Sequence, residues 1–157
     1  MINWYDHPTY YDVSFSYDMR DELAFLKTIF KKYSNSAKPK LLEPACGTGR
    51  LIVPLIHNGF DCSGFDLNKN SILYLKNKLR RRKINANIYY DDMVNFKIHN
   101  KYDGIYCTVD TFRHLLEEDD AKKHLITIKN ALKKNGIYIL GLHLISEEKK
   151  IDKVTQW

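Results

Sequence analysis

A chain of 157 residues and 18.5 kDa is long enough to bury one compact core and short for two. Hydrophobic residues at 44% and charged residues at 28% exclude a disordered polar chain and a fibrous repeat. The formal charge of +6 admits an anionic partner, but the densest basic run, Lys76 to Lys83, reads as the solvated end of an amphipathic helix. It carries no interleaved aromatics that would stack on single-stranded bases, so nucleic acid is not the expected partner.

The aromatic residues Trp4, Tyr5, Tyr10, Tyr11, Phe15 and Tyr17 crowd the start of the chain, which implies that this segment packs on something. From Met19 to Tyr33, apolar residues recur at steps of three and four, the period of an amphipathic helix. Ser34 to Lys38 reads as a loop and Lys40 to Glu43 as a short strand. A Gly-rich turn follows, then a helix from Leu51 to Asn58 that Pro54 bends and Gly59 closes. Asp61 to Asp66 is a second strand, and Asn70 to Arg82 a helix with Ile72, Leu75 and Leu79 on one face. Asn87 to Asp91 and Tyr102 to Thr108 are the third and fourth strands. The next helix runs from Asp119 to Lys134, acidic in its first turn and basic in its last. Gly136 to Leu144 is the fifth strand.

Strands that alternate with helices of this length predict a doubly wound α/β fold, a mostly parallel sheet with helices on both faces. No internal repeat or linker divides the chain. Cys46, Cys62 and Cys107 form no C-x-x-C pair, so neither a metal site nor a disulfide is signalled, and a reducing cytoplasm suits them. Asp6, His7 and Pro8 stand where a signal peptide would be basic and then apolar, and no stretch is long enough to span a membrane. A cytoplasmic location is expected.

The turn Glu43-Pro44-Ala45-Cys46-Gly47-Thr48-Gly49-Arg50 joins the first strand to its helix. Its small residues let a ligand approach the backbone, and in a doubly wound sheet it lies at the carboxyl edge where ligands settle. Nineteen residues after Gly47, Asp66 ends the second strand, a spacing at which a carboxylate accepts hydrogen bonds from ribose hydroxyls. Ile52 stands in place of the third Gly of a dinucleotide fingerprint, and no Walker lysine occurs. The ligand implied is an adenosine compound other than NAD, FAD or a nucleoside triphosphate.

From about Tyr10 to Leu144 the sequence resembles the class I S-adenosylmethionine (SAM)-dependent methyltransferase family, with Glu43 to Gly49 similar to its first motif in a variant where Ala45 replaces the first Gly. The resemblance implies a Rossmann-like SAM-binding fold with SAM as cofactor. It places the methionyl amine near Glu43, the methionine part along the backbone of Ala45, Cys46 and Gly47, the ribose on Asp66 and the adenine against Leu67. Asp91-Asp92-Met93 resembles the adenine motif, with Asp92 at the exocyclic amine and Met93 over the ring. Cys107 and Thr108 would flank the sulfonium through their backbone. His114 is the candidate catalytic base, imidazole being the residue type suited to neutral pH, and His143 is a second candidate. Tyr10-Tyr11-Asp12 and Phe15-Ser16-Tyr17 resemble a lid, so Tyr11 and Tyr17 join the expected cofactor contacts; aromatic faces suit a sulfonium cation.

Family members continue beyond the fifth strand with further strands that complete the sheet, which this sequence lacks. The expectation is one domain, with lid and first helix in 1–36, a cofactor-binding core in 37–145 and a tail in 146–157. Its fifth strand would expose an apolar edge to be covered by a second copy, a complementing chain, the tail, or the rest of a longer product. The expected function is methyl transfer to a small-molecule acceptor. A SAM-binding subunit that needs a partner chain for activity stays open beside it.

Overall fold

The computed structural model describes residues 4–15 and 19–143. Its helices are α1 (Pro8–Phe15), α2 (Arg20–Tyr33), α3 (Ile52–His57), α4 (Lys69–Arg81) and α5 (Glu118–Ala131), with 3-10 turns at Trp4–Asp6 and Thr111–His114. The strands are β1 (Lys40–Pro44), β2 (Asp61–Asp66), β3 (Asn87–Tyr90), β4 (Tyr102–Cys107) and β5 (Leu132–Leu140). They form one parallel sheet in the order β3-β2-β1-β4-β5, with Leu42 of β1 opposite Ser63 on one side and Ile105 on the other. The sheet is therefore doubly wound, as its alternating elements predict.

Neighbouring residues of β1 serve opposite faces, as the strand period requires. Leu41 packs with Leu26 and Phe30 of α2, Ile52, Val53 and Leu55 of α3, and Leu75 of α4. Leu42 packs with Phe65, Phe96, Ile105 and with Ile128 and Ala131 of α5. Each fully buried Leu, Ile or Phe contributes roughly 1.5–3 kcal/mol. At Gly104 a Cβ would stand 2.2 Å from the Phe30 ring. The missing side chain is what lets α2 lie so close to β4.

Pro54 falls in the first turn of α3, where its missing N–H has no intrahelical partner to lose. α4 is capped by Asn68, whose side-chain oxygen accepts from Ser71 N at 3.0 Å. The boundary between α5 and β5 differs from the sequence reading. The helix ends at Ala131 and the strand begins at Leu132, so Lys133 and Lys134 lie on β5. Pairing of Leu132 with Tyr102 and the Lys133–Asp103 ion pair at 2.8 Å displace the last helical turn. A register shift between Tyr102 and Gly104, with Asn135 left-handed, absorbs the extra residues.

Among the described residues β5 pairs with β4 alone. Ile137 and Ile139 are half-buried against one core and Tyr138 against the other, so the strand is covered on its faces while its outer edge pairs with no described residue. Leu144 lies outside the described residues. No helix among those described is long and apolar enough to cross a membrane.

Candidate active site

The strand order reverses direction at β1, which is flanked by β2 and β4, and this is where an open parallel sheet offers a crevice at its carboxyl edge. A cavity of about 810 Å³ occupies that place. Its walls are the ends of β1, β2 and β4, the loop after β3, α1 and the 3-10 turn at Thr111–His114.

The turn after β1 is built on left-handed backbone at Ala45 (φ 51), Gly47 (φ 51) and Gly49 (φ 76). Cys46 N donates to Phe65 O at 2.9 Å and Gly47 N to Asp66 Oδ2 at 2.7 Å, which ties the turn to the end of β2. Asp66 Oδ1 accepts from Asn68 N at 2.7 Å. Burial pushes the Asp66 carboxyl above the usual carboxylate range, against the pull of the N–H groups of Asn68, Gly47 and Leu67. A Cβ on Gly49 would meet Leu75 Cδ1 at 2.3 Å, and Leu75 is fully buried. Gly49→Ala is expected to cost about 2 kcal/mol from left-handed strain and overpacking, seen as a melting temperature about 5 °C lower. An unchanged melting curve would contradict this account of the turn.

Glu43, at the end of β1, is buried and accepts from the Tyr106 hydroxyl at 3.0 Å. Burial pushes its pKa up to about 8, with the Tyr106 bond and Arg50 pulling the other way. Arg50 is itself held by Glu22 of α2 through two bonds of 2.6 and 3.0 Å. Across the cavity, the loop after β3 is shaped by its own carboxylates. Asp91 accepts from Asp92 N and Lys97 N, and Asp92 Oδ1 accepts from Val94 N, each at 2.9 Å. Both oxygens of Asp91 and Oδ1 of Asp92 thereby accept from the backbone of the loop itself.

α1 roofs the Gly turn, and a Cβ on Gly47 would come within 3.9 Å of the Tyr11 ring. Tyr11 stacks on Phe15 with centroids 4.4 Å apart and leans on Tyr5 at 5.6 Å. The roof is fixed to α4 by Asp12, which accepts from Lys78 at 2.8 Å and Tyr74 at 2.9 Å. Burial raises the Asp12 pKa, but bonds from Lys78, Thr48 and Tyr74 outweigh it and hold it low. Tyr5 OH lies 3.4 Å from His114 Nε2, joining the roof to the far wall.

Of the residues expected from sequence, Tyr11, Glu43, Ala45, Cys46, Gly47, Asp66, Leu67, Asp92, Met93, Thr108 and His114 line this one cavity. Cys107 is buried behind the wall. Tyr17 lies outside the described residues. His143 is turned to Asp110, its N and Nδ1 at 2.6 and 2.5 Å from the carboxylate. Unforeseen wall residues are Tyr5, Thr48, Arg50 and the stretch Leu115–Leu116–Glu117. Tyr5 belongs to the aromatic cluster noted in the sequence and Thr48 and Arg50 to the small-residue turn, while no sequence signal marks Leu115–Leu116–Glu117.

A parallel 3-2-1-4-5 sheet with a small-residue turn after β1 and an acid ending β2 defines a Rossmann-like SAM-binding domain. A family model described as "Methyltransferase domain" matches residues 41–136, and the chain belongs to that family. It is similar to a glycine/sarcosine N-methyltransferase of Aphanothece halophytica, 31% identical over 118 residues, which cover 74% of this chain and 43% of that protein. A glycine/sarcosine N-methyltransferase of Halorhodospira halochloris is 33% identical over 103 residues, 64% of this chain and 38% of that protein. Among solved structures, an S-adenosylmethionine-dependent methyltransferase from Clostridium acetobutylicum matches with TM-score 0.75 and 26% identity, over 88% of this chain and 57% of that one. The chain spans less than half the length of the curated relatives it matches.

The cofactor is S-adenosylmethionine. The wall fits it: about 810 Å³ is ample for a nucleoside with an amino-acid arm. The acids at the ends of β1 and β2 suit its cationic and hydroxyl groups, and the side chains of Leu67 and Met93 suit a flat ring.

Proposed function

We propose that this chain carries the cofactor-binding and catalytic core of a methyltransferase acting on the nitrogen of a small amine, within one domain and in a reducing cytoplasm. The observation that carries the reading is the sign of the cavity wall. Although the chain is net positive, the wall holds Asp66, Asp91, Asp92, Glu117 and Asp120, beside a Glu43 that burial keeps protonated near neutral pH, against Arg50. Glu117 and Asp120 exceed what the cofactor uses and stand beside Leu116, which is 87% exposed. An ammonium-bearing acceptor complements that end of the wall. The N-methyltransferase names of the relatives point the same way. The three buried free cysteines support the reducing compartment, and the outer edge of β5, which pairs with no described residue, supports a second copy or complementing segment along it.

In this reading Asp66 holds the ribose hydroxyls, Glu43 faces the methionyl ammonium, and Asp92, Met93 and Leu67 take the adenine. Tyr11 and Phe15 exclude water from above. When bound, SAM supplies a methyl carbon on a sulfonium, so a nitrogen–carbon bond forms as the sulfur–carbon bond breaks. Alignment supplies much of the rate, because the carbon is already activated. His114, held by Tyr5, takes the proton that the acceptor nitrogen must shed.

Incubation of the purified chain with methyl-labelled SAM and a panel of amines and phenols is the test. Label is expected on glycine, sarcosine or an amino sugar at least about tenfold faster than on a catechol. Preference for the hydroxyl acceptors would refute the amine assignment. Cofactor binding without turnover until another chain is added would transfer catalysis to the complex.

A further inference from the structure

α5 turns Thr127, Ile128 and Ala131 toward the sheet and, one turn earlier, a histidine. His124 is 0% exposed, in a position where an aliphatic side chain would ordinarily serve. A buried imidazole is tolerated only when both nitrogens are satisfied, and here they are. Nδ1 lies 2.7 Å from the carbonyl oxygen of Met93, and Nε2 lies 2.9 Å from the Tyr138 hydroxyl.

These partners fix the proton. A carbonyl can only accept, so Nδ1 carries the hydrogen and donates to Met93, and bare Nε2 accepts from Tyr138. Burial favours this neutral form and holds the His124 pKa below the usual histidine range, while the bond to Met93 pulls the other way. A line of hydrogen bonds thus runs from β5 through α5 into the middle of the loop after β3.

That loop is the adenine-side wall. Asp92, Met93 and Val94 all line the cavity, and the bonds from Asp91 and Asp92 that shape it stay within the loop. They set its form, while the Asp91 N–H bond to Asp66 O at 3.3 Å and the buried Phe96 tie its two ends to β2 and the core, leaving its middle at Met93 to be held from α5. We propose that His124 is a positioning residue for cofactor binding: its Nδ1–H grips the Met93 carbonyl from α5 and so sets where Asp92 and Met93 meet the adenosyl group. This rests on the reading that the loop after β3 receives the adenine.

The first measurement is long-range proton–nitrogen NMR of the histidine rings in the whole chain without cofactor, where His124 is expected as the neutral Nδ1–H tautomer. A dominant Nε2–H form would overturn the proposal. The second is calorimetric titration with S-adenosylhomocysteine. His124→Phe keeps a ring in place and leaves the Met93 carbonyl without its donor, so affinity is expected to fall about tenfold. His124→Asn places its amide nitrogen where Nδ1 stood, returns a donor toward that carbonyl and is expected to recover to within about threefold of the parent. A merely structural histidine predicts that the two variants bind alike. Equal affinities, or a Phe variant that binds as the parent does, would refute the positioning role.

If His124→Phe does not fold, Tyr138→Phe carries the test. The Met93 carbonyl still requires the Nδ1–H donor, so the tautomer is expected to persist and affinity to stay within about twofold of the parent. Unchanged affinity with a mixed tautomer would overturn the proposal. A parent chain that fails to bind S-adenosylhomocysteine would refute the cofactor reading instead, and the tautomer would stand apart from it.

Discussion

Asp66→Ala is expected to weaken SAM binding at least about a hundredfold, close to 2.7 kcal/mol. The carboxylate does two jobs at once. Its oxygens already receive the N–H groups of Gly47 and Asn68, each at 2.7 Å, and their remaining lone pairs are proposed to meet the ribose. Alanine removes the ribose acceptor and also frees the Gly turn from β2. Asp66→Asn separates these effects, since its carbonyl oxygen keeps one backbone bond in an isosteric group. It is expected to lose affinity about tenfold while melting close to the parent, because it also relieves a buried charge. Titration calorimetry with thermal melts reads both quantities. Alanine binding within about threefold of the parent would remove Asp66 from the ribose site.

Glu43 is expected to make both stability and cofactor affinity depend on pH. Its carboxyl is shifted from the ordinary 4.5 to about 8 by burial. Between those values the unfolded chain has lost the proton and the native chain still holds it, so stability falls as pH rises from about 4.5 to about 8 and levels off above. At about 1.4 kcal/mol per unit the full span is on the order of 5 kcal/mol. Glu43→Gln, which resembles the protonated form, is expected to flatten this dependence and to melt above the parent at pH 8. A cation near Glu43 reverses the preference. Cofactor binding at pH 7 is expected to release about one proton, read as a difference in apparent binding enthalpy between phosphate and Tris buffers. Equal enthalpies in the two buffers would show that Glu43 does not face the cationic arm.

Both residues were legible in the sequence because their signal is local. A strand, a small-residue turn and an acid at the next strand end are written in consecutive residues, and the parallel sheet follows from them. The boundary between α5 and β5 was not, because Lys133, Lys134 and Gly136 satisfy the rules for ending a helix equally well. Only the ladder to Tyr102 and the ion pair to Asp103 decide the matter, and both partners lie about thirty residues away. Tyr5 was visible as part of an aromatic cluster, but its neighbour His114 is 109 residues distant. His124 was hidden for another reason. Within Lys122-Lys123-His124 it reads as part of a solvated basic face, and its burial shows only once Met93 and Tyr138 close around it. His143, a candidate base in the sequence, is placed instead against Asp110, which the left-handed backbone at Val109 and Asp110 presents to it.

The position of β1 has a consequence for how the chain acquires its structure. Its partners are β2, which follows closely, and β4, whose residues pair with it from about sixty positions away. During synthesis β1, β2 and β3 can associate while β4 is still unmade, leaving Leu41 and Leu42 on an open edge. The cavity borders that same seam, so its wall cannot close before β4 is in place. Refolding is expected to show a slow phase tied to the arrival of β4, with the unfinished sheet the species most exposed to aggregation.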